Sequence, residues 1–216
     1  MASQTRGNDA VLLIPGLWMG GNIMQAFAYH LRAQGFTTEN FSYHMLRQGL
    51  DANCRRLKRR ISNSSHERLH LVGHSLGGVL ALQTLARYPE AISGRVVCLG
   101  SPLLNTVAGR RLAASRIGSR MLGRTLPEAV FERPLESWQG AQDVGVIAGS
   151  VGVGLGMIIT PRLRRPHDGV IEVAETCLPG LTDHLELRVN HTGLLLSKDA
   201  ATQTAHFLHH GRFQRA

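Results

Sequence analysis

Aromatic residues make up only 5% of this 216-residue chain, cysteines number three, and acidic residues are outnumbered by basic ones, 15 against 24. Each shortage excludes something. Cys54, Cys98 and Cys177 are an odd set with no metal-type spacing, so they read as reduced thiols and not as a disulfide framework. No aromatic residue interleaves with the basic clusters, which removes the stacking surface that a single-strand nucleic-acid binder needs. Long apolar runs are missing too. The uncharged, glycine-rich stretch Val144 to Ile159 falls short of the roughly 20 residues that cross a bilayer, and its glycines disfavour a helix. It reads as a strand followed by an apolar loop near the mouth of a cleft, with an interfacial membrane segment as the alternative. Met1 to Ala10 is polar and carries no apolar core, so neither a signal peptide nor an anchor is expected and a cytoplasmic chain is.

What the deficit of acid leaves behind is a formal charge of +9. It gathers in two places, Arg55-Arg56-Leu57-Lys58-Arg59-Arg60 and the set Arg110, Arg111, Arg116, Arg120 and Arg124. Such clusters are most simply solvated helix faces. They leave open an anionic membrane surface as partner, while nucleic acid is supported by charge alone.

The length suits one domain over residues 1–216, with 1–9 as a polar tail. Val11 to Ile14, Leu69 to Val72, Val96 to Leu99 and Val144 to Ala148 are short apolar runs of the kind buried on both faces of a sheet. Phe36 to Tyr43 and His184 to Val189 read as further strands. Helical spacing separates them at about Ile23 to Ala33, Leu50 to Ser62, Leu76 to Tyr88 and Leu194 to His210. Strands alternating with helices argue an α/β fold with a mostly parallel sheet of about six strands, covered on both faces. Two stretches break the alternation, 105–142 and 149–166, and are expected to be variable excursions near the cleft.

The chemistry starts at Gly73-His74-Ser75-Leu76-Gly77, between a strand and a helix. A serine at such a turn is held in a strained conformation with its hydroxyl at the tip of the sheet, and the flanking glycines allow strand and helix to approach closely. Elsewhere the same residues would be a Gly-rich turn whose serine caps a helix; His74 beside it reads as a packing residue. Serine chemistry needs a base, a carboxylate to orient that base, and N–H donors for the developing oxyanion. Taken alone, His191 is one of eleven histidines and Asp168 a turn former. Together they follow Ser75 in the order that such a hydrolase requires, Ser75, Asp168, His191. Rivals for the acid are Asp143 and Asp183, which precede their strands, and Glu172 and Glu175. The N–H of Leu76 at a helix start and that of Leu17 after the first strand are the oxyanion donors. Trp18 and Met19, with Leu155 and Met157 across the cleft, would shape an acyl pocket, and a core aromatic is the other reading of Trp18. No metal or cofactor is called for.

Ile-Pro-Gly-Leu-Trp, Gly-His-Ser-Leu-Gly-Gly, Leu-Gly-Ser-Pro, Asp-Gly-Val-Ile and Asn-His-Thr-Gly-Leu-Leu, in that order, resemble a small α/β-hydrolase of the bacterial esterase/lipase type over about Ala10 to Leu208. The resemblance implies a minimal or absent lid, Ser75 as nucleophile, Asp168 as acid, His191 as base and Leu17 and Leu76 as oxyanion donors. Many relatives have His-Gly where this chain has Pro15-Gly16, which puts the support of the oxyanion loop in question. The activity implied is hydrolysis of a small-molecule or lipid carboxylic ester through an acyl-enzyme. A thioesterase, a phospholipase or an acyltransferase would use the same groups, and a non-catalytic lipid- or anion-binding protein could keep the scaffold without the chemistry.

Overall fold

The computed structural model describes residues 9–17, 21–106, 109–110, 113–114, 120–153 and 163–215. Six strands form one sheet: β1 (Asp9–Ile14), β2 (Thr37–Asn40), β3 (Arg68–His74), β4 (Val96–Leu99), β5 (Val144–Gly149) and β6 (Asp183–Leu187). Their order is β2-β1-β3-β4-β5-β6, and every pairing is parallel. The main helices are α1 (Gln25–Ala33), α2 (Leu50–Ser62), α3 (Leu76–Arg87) and α4 (Lys198–His210).

Strand side chains alternate between two cores, as the pleat requires. Ala10, Leu12, Ile14, Leu71, Val96 and Val146 join a core with α2 and α3. Val11, Leu13, Val72, Val97 and Ile147 join the other, with Phe27 and Leu31 of α1 and Phe207 of α4. Since β3 keeps this period, His74 falls on the same face as Val72, towards α1 and α4.

The chain runs from β1 outward to β2 and then returns to the other flank of β1 with β3. Strand order reverses there, and beyond the carboxyl ends of β1 and β3 a crevice opens in sheets of this kind. Pro15-Gly16-Leu17 and Ser75 stand at those two ends.

Several elements differ from the sequence expectation. The second strand is shorter, Thr37–Asn40 within the expected Phe36 to Tyr43: Phe41 N–H still donates to Leu13 O at 2.8 Å, after which the chain leaves the ladder. The closing helix is two pieces, one turn at Gly193–Leu196 and then α4, because Ser197 is extended and its hydroxyl accepts from Ala200 N–H as an N-cap. The 105–142 excursion is not loose where it is described. A short turn, Thr125–Pro127, continues into a π-helix, Glu128–Glu132, and Leu122, Leu126, Ala129 and Val130 are buried in the α2–α3 core. Gln83 of α3 donates to Ala129 O and Arg133 O, and Glu128 accepts from Leu50 N–H at the start of α2. Of the uncharged run, Val144–Gly149 is β5. No helix among the described residues is long and apolar enough to cross a membrane.

Candidate active site

Ser75 has φ 53° and ψ −123°, the only positive φ of a non-glycine among the described residues. A backbone in this region costs about 1–3 kcal/mol and persists only where its surroundings impose it. Here the glycines impose it. A Cβ on Gly73 would lie 2.3 Å from Gly78 N, and one on Gly77 would lie 2.1 Å from Ile14 O. Strand β3, helix α3 and the end of β1 are therefore in backbone contact around the serine. Ser75 N–H donates to Leu99 O at the end of β4 (2.8 Å), closing the turn onto the sheet.

The structure joins Asp168 and His191 directly. His191 Nδ1 is 2.6 Å from Asp168 Oδ2, and His191 N–H donates to Asp168 O at 2.9 Å. Asp168 Oδ1 accepts from Val170 N–H (2.9 Å) and Ile171 N–H (2.7 Å), and the residue is 1% exposed. A carboxylate so enclosed has its orientation fixed by three partners, while the His191 N–H bond to the Asp168 carbonyl ties the two backbones together. It sits in the long β5–β6 connection, joined to no named strand, where His167 and Glu172 form an isolated bridge. His191 follows β6 and precedes the Gly193–Leu196 turn.

Gly100, one residue after β4, connects this pair to the serine. Its φ is +54°, and a Cβ there would lie 3.1 Å from both Asp168 Oδ2 and His191 Nδ1. Ser75 is thus bonded through its N–H to the residue before the glycine on which the His191–Asp168 contact rests. The Ser75 hydroxyl makes no hydrogen bond to the His191 ring in this structure.

The rival carboxylates are accounted for elsewhere. Asp143 pairs with Arg95 at 2.8 Å and Asp183 pairs with Arg215, both at the opposite rim of the sheet. Glu172 and Glu175 form a reciprocal capping box around Val173–Thr176.

Leu17 is half-buried at the end of β1, and Leu76 is buried as the first residue of α3, whose opening N–H groups have no helical partner. Where relatives of the expected type carry a histidine, Pro15 is held otherwise: the buried Tyr43 hydroxyl donates to Pro15 O at 3.0 Å. Burial pushes the Tyr43 phenol up, so it remains a donor. Trp18, Met19, Leu155 and Met157, the expected pocket residues, lie outside the described residues.

Sequence reasoning missed Gly100, Tyr43 and the part that His74 plays. Gly100 was visible only as punctuation after a strand. Tyr43 is 28 positions from its partner and carries no local signal.

No curated protein matches the chain. Solved structures do match in fold: Bacillus licheniformis lipase BlEst2 in mature form (14% identity, 92% of this chain and 89% of that one, TM-score 0.69) and the metagenomic carboxyl esterase MGS0156 (17%, 97% and 77%, TM-score 0.67). A third is the pyrethroid hydrolase PytH (15%, 94% and 98%, TM-score 0.62). At these identities the likeness is one of fold. The sequence itself matches the model of the alpha/beta hydrolase family over residues 11–212, and the chain belongs to that family.

Proposed function

We propose that this hydrolase cleaves carboxylic esters through an acyl-enzyme on Ser75. The observation that carries the reading is the strained Ser75 turn set beside a buried Asp168–His191 pair at 2.6 Å. Strain at one serine alone and an imidazole oriented at the same rim have no structural use that a regular turn would not serve better.

In this reading His191 Nε2 takes the Ser75 proton as Oγ attacks the ester carbonyl, and Asp168 holds the imidazole with Nδ1–H towards Oδ2. The N–H groups of Leu17 and Leu76 stabilise the oxyanion of the tetrahedral intermediate, the latter helped by the positive end of α3. Collapse expels the alcohol, which takes the proton from His191. Water then gives its proton to His191, attacks the acyl-enzyme, and releases the acid with Ser75 restored. The serine–imidazole hydrogen bond of ligand-free hydrolases is often long and tightens only with substrate.

The test is a fluorophosphonate probe with wild-type and Ser75→Ala protein, followed by p-nitrophenyl esters of increasing chain length. Labelling and turnover that vanish with Ser75→Ala are expected. Labelling indifferent to that substitution would sink the reading, and Ser75-dependent labelling without ester turnover would move the substrate to thioesters, phospholipids or acyl transfer.

A further inference from the structure

His74 is fully buried, yet it is not simply filling space. Its Nε2 lies 3.0 Å from the carbonyl oxygen of His191. A carbonyl can only accept, so Nε2 carries the hydrogen and Nδ1 carries a lone pair. That Nδ1 is buried with no hydrogen-bond partner, and it lies 3.1 Å from where a Cβ on Gly16 would be. The His74 and His191 rings are 4.6 Å apart at 54°. Burial, and then the neighbouring His191, hold the His74 imidazole down to about 3, so it stays neutral.

We infer that His74 is a positioning residue, which fixes the backbone of the base relative to the nucleophile through the bond from Nε2–H to His191 O. This rests on the hydrolase reading above. With that bond, both backbone polar groups of His191 are held: the N–H by Asp168 O and the carbonyl by His74. Because His74 is covalently joined to Ser75, the link spans one residue, and displacement of the His191 loop from the serine has to break it. The strand period explains why the ring can reach: His74 shares the face of Val72, against which Leu194 and Leu195, just after His191, are packed. A neutral donor is required at this place. A lysine or a protonated imidazole would oppose the charge that His191 acquires when it takes the serine proton.

The experiment compares His74→Leu, His74→Asn and His74→Gln in the full chain, with p-nitrophenyl butyrate as substrate and fluorophosphonate titration to count competent serines. The glutamine amide nitrogen takes the place of Nε2, whereas that of asparagine takes the place of Nδ1 and does not reach the carbonyl. Per titrated serine, kcat should fall roughly 10- to 100-fold in the leucine and asparagine variants with KM little changed, as expected for a misplacement of about 1 Å, and glutamine should restore most of it. Counting by titration makes the result independent of how much of each variant folds, and the asparagine variant carries the test should leucine fail to fold. A merely structural role predicts wild-type kcat per serine in all three. That result, or a glutamine variant as slow as leucine, overturns the inference while leaving the hydrolase intact. Wild-type protein without Ser75-dependent turnover or labelling removes the hydrolase reading itself.

Discussion

His70 and His74 lie on one strand and one face, both fully buried, yet they belong to opposite rims of the sheet. At the amino-terminal rim His70 Nδ1 accepts from Arg95 N–H at 2.9 Å and Nε2 lies 3.8 Å from Asp9. Around it, charge is matched locally. Arg95 binds Asp143 and the carbonyls of Leu208 and His209, while Asp183 takes Phe213 N–H and Arg215, fastening the end of the chain to the sheet. A cleft of about 350 Å³ opens there between Arg68, Ser93, Arg95 and Asp143, but the backbone is unstrained and most of its charges are satisfied by one another. At the carboxyl-terminal rim the same residue types meet differently. Ser75 is strained, Gly100 is left-handed, and the carboxylate orients an imidazole in place of matching a cation. Acids and histidines occur at both rims; among the described residues, a strained non-glycine backbone and an oriented imidazole occur at one.

Substitutions at each rim should separate the two uses. The largest effect is expected for Asp168→Asn, which can still accept from Val170 and Ile171 but turns its amide towards His191 Nδ1 and imposes the wrong tautomer; kcat should fall by about 10⁴ with the fold retained. Steady-state kinetics with circular dichroism of the variant checks this. Next is Gly100→Ala. Its methyl would press on Asp168 Oδ2 and His191 Nδ1 at a φ that alanine rarely adopts, so about a 10²-fold loss in kcat is expected. Overpacking there should also cost about 1–3 kcal/mol in urea unfolding. Arg95→Met, at the other rim, reverses the pattern. It should lower stability by about 1.5–3 kcal/mol, the range for hydrogen bonds to charged groups, and leave kcat at the wild-type value. Loss of turnover in that variant would end the division of labour between the rims.

Much of this was legible in the sequence, and what was not has physical reasons. Helix α2 runs over Leu50–Ser62 as its apolar spacing predicts, because its partners recur at 3.6-residue intervals: Leu50, Cys54, Leu57 and Ile61 are buried. The turn at Ser75 was readable because Gly73 is demanded by a contact within the same strand-turn-helix unit, whereas Gly77 answers to Ile14 at the end of β1. The meeting of Asp168 with His191 was readable because chain order follows topology. Contacts between distant segments leave no period. The packing of 120–138 was obscured by Pro127 and by polar neighbours, and its burial depends on a surface that α2 and α3 create only after folding. The apolar spacing runs on from Leu194 to Leu208 and hides the break at Ser197. His74 was read as packing since its face is predictable from the strand, whereas its hydrogen-bond partner is 117 residues away.

Acid stability should sharpen the comparison from the other side, because here the two histidines ought to act alike. Burial holds His70 down to about 4, against the partial support of Asp9 and with Arg68 and Arg95 opposing its charge, and holds His74 down to about 3 beside His191. Both are neutral in the folded chain at pH values where the unfolded chain, with histidines near 6.5, has begun to bind protons. The unfolded state therefore holds more protons below about 6.5, so stability is complete above that pH and falls as pH drops towards 4. Each histidine contributes a slope of at most about 1.4 kcal/mol per pH unit. His70→Leu and His74→Gln should each flatten the decline in urea-unfolding free energy between pH 6.5 and 4.5 by a similar amount. Of the two substitutions, His70→Leu should leave kcat per titrated serine unchanged, since its ring touches neither Ser75 nor His191. Equal effects on proton linkage combined with such a difference in their reach to the active site would mean that burial sets the titration of these side chains while position along the strand sets their use. A flat profile for His70→Leu alone would instead place the acid sensitivity at the amino-terminal rim.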